Sequence, residues 1–193
     1  MAKLHFHYST MNAGKSTLLL QAAHNYKEMG MGTILLTADF DNRAGQGKIA
    51  SRIGISESAE LYNKKSDLFN LIYQKKEKKK FACVLVDEAQ WLSPDQVWQL
   101  AKVVDDLNIP VICYGLRVDF LGELFPGSAK LLAIADEMRE VRTICHCGKK
   151  ATMVIRKGKD GKVQTDGDQI QVGGNEMYYS LCRKHWKEAL KRE

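Results

Sequence analysis

The chain has 193 residues, 45% of them hydrophobic and 27% charged, with a net charge of +6. That suffices for one globular core with a small appendage and is too little for two nucleotide-binding cores in tandem. No window reaches the roughly eighteen apolar residues that a membrane span needs, and "MAKLHFHYST" lacks the apolar run and cleavage site of a secretory signal, so the expectation is a soluble, cytoplasmic protein with no membrane partner.

"LHFHY" (4–8) reads as a strand that runs into "STMNAGKST". The latter follows the pattern G-x-x-x-x-G-K-[ST] at Gly14, Lys15 and Ser16, with Ser9 in place of the first glycine. Such a loop turns the backbone N–H groups of Met11, Asn12, Ala13, Gly14, Lys15 and Ser16 inward onto phosphate oxygens, reinforced by the helix N-terminus. Lys15 is then placed to bridge β- and γ-phosphates and the Ser16 hydroxyl to ligate Mg2+. A chance GKST at a helix start is the competing explanation, but a strand precedes this loop and a helix follows it. In that helix, "KSTLLLQAAHNYKEMG" sets Leu18, Leu19, Ala22, Ala23, Tyr26 and Met29 on one side, with Gly30 as a stop.

"TILLT" (33–37) is a second apolar strand, and 39–63, rich in Gly, Ser and charge, reads as loop. A helix covers "SDLFNLIYQKKEKK", and "ACVLVD" (82–87) has the continuous apolar character of a strand buried on both faces. Asp87 and Glu88 stand at its carboxyl end, where open α/β sheets place their ligands. Asp87 suits the holder of Mg2+, and Glu88 is left to orient or deprotonate the oxygen that attacks the γ-phosphate. "SPDQ" (93–96) fits a capping box that starts a helix with Val97, Leu100, Ala101, Val104 and Leu107 inward. "VICYGL" (111–116) is another buried strand; Cys83 and Cys113 lie inside apolar runs as small core residues. Strands alternating with helices imply an α/β fold with a parallel sheet covered on both faces.

The pattern changes near Thr143, after which short strands and Gly-containing turns suggest a small β-rich unit. Two domains are therefore expected, 1–142 and 143–193. In the second, Cys145 and Cys147 form C-x-C, and Cys182 and His185 form C-x-x-H. Three thiolates and one imidazole make a closed tetrahedral site for structural Zn2+ with no position left for a reacting water. The C-x-C spacing is tighter than the usual knuckle, and unpaired core cysteines are the competing explanation.

"DEAQ" invites a helicase reading, but such enzymes resemble two cores in one chain. A guanine-reading Asn-Lys-x-Asp is absent, since "NKKSD" (63–67) has one residue too many and precedes the acidic strand. A small-molecule kinase and a zinc-containing ATPase module that binds nucleic acid remain. The basic stretch "KKEKKK" (75–80) and the tail "RKHWKEALKRE" serve the second reading, or are simply solvated faces.

"STMNAGKST", "LVDEAQW", "CYGLRVDFLGELFPGS", "TICHCGKKA" and "VGGNEMYYSLCRKH", in this order and spacing, together resemble the thymidine kinase family of the bacterial and human cytosolic type. The resemblance runs nearly the whole chain. It implies a P-loop, RecA-like parallel-sheet core and a small C-terminal zinc-binding β-rich domain carrying a lasso loop. It implies transfer of the ATP γ-phosphate to the 5′-hydroxyl of thymidine, with no nucleic acid as partner. ATP is expected on Ser9, Thr10, Met11, Asn12, Ala13, Gly14, Lys15, Ser16, Asp41, Asp87, Glu88, Ala89 and Gln90. Glu88 is implied as the general base, and Arg43, paired with Asp41, as a partner of charge that builds during transfer. Met11, Trp91, Leu116, Phe120, Phe125 and Tyr178 are implied around the thymidine, with the backbone of Gln169, Ile170, Gln171, Val172 and Gly173 reading the pyrimidine edge. A homotetramer and feedback inhibition by dTTP are implied by the same resemblance.

Overall fold

The structure is a computed structural model that describes residues 1–41, 45–169 and 177–192. In chain order its elements are β1 (Leu4–Ser9), α1 (Lys15–Glu28), β2 (Thr33–Ala38), β3 (Lys48–Ala50), β4 (Ser56–Ser58), β5 (Glu60–Tyr62), α2 (Leu68–Lys78) and β6 (Cys83–Val86). A single 3-10 turn (Ala89–Trp91) leads to α3 (Pro94–Leu107), β7 (Val111–Leu116), α4 (Pro126–Ile134) and β8 (Glu137–Glu140). The chain ends in β9 (Thr143–Ile144), β10 (Lys150–Ala151), β11 (Met153–Arg156), β12 (Tyr178–Leu181) and α5 (Arg183–Ala189).

Six strands form one sheet in the order β5-β2-β6-β7-β1-β8, and every adjacent pair is parallel. β6 is buried at all four residues, as its unbroken apolar run requires of a central strand covered by helices on both faces. On one face, α2, α3 and α4 close a core around Leu68, Ile72, Val97, Leu100 and Leu131. On the other, α1 packs Leu19, Leu20 and Ala23 against Leu35, Leu85 and Ile49. The buried stripe of α1 thus includes Leu20, whereas Leu18 is partly exposed and Met29 mostly so. Leu19, Ala22, Ala23 and Tyr26 face this core as expected. α3 begins with the expected capping box: Ser93 Oγ accepts from Gln96 N, and Gln96 Oε1 accepts from Ser93 N.

The 39–63 segment carries more structure than its composition suggests. It forms the antiparallel hairpin β3–β4 and the parallel edge strand β5. Ile49 anchors the hairpin beneath α1. β8 and α4 also escaped the reading of the sequence. β8, "EMRE", has no apolar run because it is an edge strand with an exposed outer row.

The last fifty residues build two two-stranded ribbons, β9–β10 and β11–β12, with α5 across them. Their core of Cys145, Ala151, Met153, Ile155, Leu181, Cys182 and Trp186 includes Val118 from the loop after β7. The Trp186 ring N–H donates to the carbonyls of both Phe120 and Val154, each at 3.1 Å. The small unit is thereby seated on the segment that follows β7.

Candidate active site

The loop after β1 reaches α1 through two left-handed residues, Asn12 (φ 63°) and Gly14 (φ 81°). Gly14 supplies the second without the Cβ penalty, and its position immediately before Lys15 aims the first turn of α1 into the loop. Lys15 Nζ lies 2.7 Å from the Thr10 carbonyl, and Ser16 Oγ donates to Asp87 Oδ2 at 2.9 Å. A hydroxyl and a carboxylate from two different βα junctions therefore converge on one point. Burial, and next the Glu88 carboxylate, push Asp87 up to about 7, against the opposing effect of Ser16, the Glu88 N–H and Lys15. A buried acid disfavoured in its charged form is a site that a bound divalent cation would relieve.

Glu88 adopts φ 52°, an unfavourable conformation for a residue with a Cβ. Its surroundings hold it there. The backbone N–H donates to Asp87 Oδ1 at 3.0 Å, the carbonyl accepts from the buried Tyr62 hydroxyl at 3.1 Å, and the carboxylate accepts from Gln90 Nε2. Gln90 is itself buried, and its Oε1 accepts from Leu116 N at 2.9 Å.

These groups open into one cavity of about 960 Å³. Met11, Asn12, Ala13, Gly14, Lys15 and Ser16 line it from the phosphate loop; Asp41, Asp87, Glu88 and Gln90 line it from β2 and β6. An apolar part is formed by Trp91, Leu116, Phe120, Phe125 and Tyr178, with Gln169 at its margin. Trp91 meets Phe125 edge to face at 5.1 Å and Phe40 at 5.4 Å. Rigid aromatic walls beside a polar anion cradle suit a ligand with a flat ring and a phosphate-bearing end.

Cys145, Cys147, Cys182 and His185 bring their ligand atoms within 4.8 Å of one another. Cys147 Sγ lies 3.9 Å from Cys182 Sγ, and His185 Nδ1 lies 3.3 Å and 3.5 Å from the sulfurs of Cys145 and Cys182. A tetrahedral zinc with Zn–S near 2.3 Å and Zn–N near 2.0 Å requires ligand separations of about 3.5–3.8 Å, so the set fits that ion. Burial opposes ionisation of Cys145, but the N–H groups of Cys147 and Cys182 and the His185 ring bring its thiol down to about 6, which favours the thiolate form that a metal needs. The four positions come from the turn after β9 and the start of α5, so a bound ion would tie both ends of the small unit together.

The thymidine kinase family model matches residues 2–186. The chain belongs to the thymidine kinase family. It is 68% identical to a thymidine kinase of Jannaschia sp. (strain CCS1) over 98% of this chain and 97% of that one. It is 66% identical to a thymidine kinase of Ruegeria pomeroyi over 98% and 96% of the respective chains. A solved Pif1 helicase from Candida albicans aligns over 74% of this chain and 36% of its own at 17% identity and a TM-score of 0.42, too weak a likeness to carry an argument.

Against this family's sequence motifs, three expected ATP contacts stand back from the cavity. Ser9 lies at the end of β1, where its carbonyl accepts from Arg117 N. Thr10 turns its carbonyl to Lys15, and Ala89 is fully buried in the core. Arg43, Ile170, Gln171, Val172 and Gly173 lie outside the described residues.

Other residues reach the cavity without having been singled out. The β3–β4 hairpin contributes Lys48, Ser51 and Arg52, and Ser51 Oγ is the one buried side-chain polar atom without a partner among the described residues. A segment whose composition reads as loop gives no signal for this. Asp119 is buried; its Oδ1 accepts from Leu121 N and Glu123 N, and its Oδ2 accepts from Gln169 Nε2 at 2.9 Å. It directly precedes Phe120 in "RVDF".

Proposed function

We propose that this chain transfers the γ-phosphate of ATP to the 5′-hydroxyl of thymidine, giving dTMP and ADP. The observation that carries the reading is the single cavity. It joins the phosphate loop, the Asp87–Glu88 pair and the aromatic side chains Trp91, Phe120, Phe125 and Tyr178 in one space.

In this reading the N–H groups of the phosphate loop and Lys15 hold the triphosphate, and Gly14 lets the backbone approach it closely. Mg2+, held by the Ser16 hydroxyl and Asp87, would supply neutralisation of the charge on the transferring phosphoryl group. Glu88 accepts the proton of the 5′-hydroxyl as that oxygen attacks phosphorus in line. Gln90 keeps the Glu88 carboxylate aimed, and the strained backbone fixes its origin. Arg43, with Asp41, would meet the charge that builds during transfer. Trp91, Phe120, Phe125 and Tyr178 bound the base, and 169–173 read its edge through backbone groups. In a dry pocket a mismatched base leaves such groups unpaired, which is the source of discrimination.

Zn2+ on Cys145, Cys147, Cys182 and His185 has a structural role in this scheme, since no ligand position is left for substrate. The chain works as a nucleotide-binding unit of 1–142 and a lasso-bearing zinc unit of 143–193, in the cytoplasm, as a homotetramer inhibited by dTTP. The deciding experiment is ADP release with ATP and Mg2+ across a panel of deoxynucleosides and single-stranded DNA. Turnover with thymidine alone supports the kinase. Turnover that responds only to DNA overturns it in favour of a nucleic-acid-dependent ATPase.

A further inference from the structure

Arg156, the last residue of β11, is 2% exposed. Among the described residues no carboxylate pairs with it. A guanidinium cannot shed its proton to escape burial, so other groups must compensate for the water it loses. Three do so. The guanidinium carbon lies 3.8 Å from the centroid of the Phe120 ring. Nε donates to Gln164 Oε1, and Nη1 donates to the Asp168 carbonyl at 2.7 Å. A Cβ placed on Gly167 would come within 2.8 Å of Nη2, so the chain passes over the guanidinium with no space between.

The contacts join two different parts of the molecule. Phe120 belongs to the segment after β7 and lines the cavity. Gln164 and Asp168 belong to the chain that leads to Gln169, whose side chain closes onto Asp119 beside that same phenyl ring. The Phe120 carbonyl is in turn held by Trp186. One buried cation therefore touches both an aromatic wall and the 164–168 segment that leads to Gln169 at the cavity margin. Phe120 packs with Met11 at the head of the phosphate loop, but among the described residues no hydrogen bond of Arg156 goes to Lys15, Ser16 or Asp87.

We propose that Arg156 is a positioning residue for nucleoside binding: clamped between Phe120 and the 164–168 segment, it holds the aromatic wall and the cavity margin together, so that affinity for thymidine, and not for ATP, depends on it. The inference rests on the kinase reading above. A lysine keeps the charge but has neither the planar face for Phe120 nor the fork for two acceptors. Loss of Gln164 leaves the charge and the stack but removes one tether.

The test is steady-state kinetics of wild type, Arg156→Met, Arg156→Lys and Gln164→Ala, varying thymidine and ATP separately, with a melting curve for each. Arg156→Met is expected to raise the thymidine KM by about tenfold or more and to leave the ATP KM within about twofold. Arg156→Lys falls between wild type and Arg156→Met, and Gln164→Ala raises the thymidine KM by about threefold. If Arg156→Met does not fold, the other two variants carry the test. A folded Arg156→Lys with an unchanged thymidine KM overturns the proposal, as does a parallel rise in both KM values. A wild type that does not phosphorylate thymidine overturns the kinase reading instead.

Discussion

Gln90 reaches in two directions from one amide: its Nε2 donates to the Glu88 carboxylate, while its Oε1 accepts from Leu116 N at 2.9 Å. The base candidate is thus tied to the end of β7, the strand paired directly with the β6 from which it originates. Glu88→Gln retains the shape and loses the proton acceptor. It is expected to lower kcat by about a hundredfold or more with thymidine binding intact. Gln90→Ala leaves Glu88 in place but lets it turn, and is expected to lower kcat by about tenfold. Single-turnover kinetics alongside thymidine titration checks both. Full activity of Glu88→Gln removes that residue from its role.

The central sheet was legible because buried parallel strands announce themselves as unbroken apolar runs: 33–37, 82–87 and 111–116 all stand where they read. The phosphate loop was legible because its chemistry constrains Gly14, Lys15 and Ser16 individually. The Cys/His set was legible because four Cys/His ligands in two close pairs seldom serve another purpose, and the structure converges them. What escaped is what tertiary packing decides. β8 is polar because it is an edge, and the β3–β4 hairpin buries a single side chain, Ile49, beneath α1. Arg156 reads as one more cation in a basic sequence; only the fold places it under Phe120.

Gly127 opens the first turn of α4 against the 3-10 turn that follows Glu88. A Cβ there would lie 2.6 Å from the Leu92 carbonyl, 2.7 Å from that of Ala89 and 3.0 Å from that of Gln90. Backbone oxygens cannot swing aside as a side chain would. Gly127→Ala is therefore expected to cost about 1–3 kcal/mol of stability and to lower kcat by displacing Gln90. Urea unfolding and thymidine turnover report the two effects, and an unchanged midpoint would show that α4 can shift freely.

Removing the metal tests the zinc unit. Chelation, or Cys182→Ser, is expected to release one equivalent of zinc per chain and to weaken thymidine binding far more than ATP binding. The reason is spatial: α5 starts at Cys182 and carries Trp186, which holds the Phe120 carbonyl. Metal analysis and separate titrations of the two substrates decide the matter. Equal loss of both affinities would mean that the whole chain depends on the ion.

Asp87 gives a pH signature in the metal-free protein. Its folded value near 7 lies above the ordinary 3.8 because of burial and then Glu88. Between about pH 4 and 7 the folded state therefore binds more protons than the unfolded one, and this group's contribution to stability falls as pH rises through that window. Asp87→Asn is expected to be more stable than wild type at pH 7.5 without Mg2+, and the advantage should vanish near pH 4. Denaturant titrations at the two pH values check this. Mg2+ with ATP is expected to stabilise wild type more than Asp87→Asn.

His7 has the opposite sign. Burial chiefly, then the Arg139 and His5 charges, lower it from 6.5 to about 4, where its ring meets Tyr114 edge to face at 4.9 Å. Between pH 6.5 and 4 the unfolded chain takes up a proton that the folded chain refuses. Stability from this group is therefore fully present above pH 6.5 and is lost as pH falls toward 4. After discounting for its partial exposure, the loss is about 2 kcal/mol. His7→Gln removes the titration and keeps a neutral polar side chain in β1. Urea unfolding of both proteins at pH 7.5 and 4.5 isolates the effect, because Asp87 and the zinc ligands are common to the two. The wild type is expected to lose more stability on acidification than His7→Gln; equal losses would mean that the ring protonates in the folded sheet as readily as in the unfolded chain.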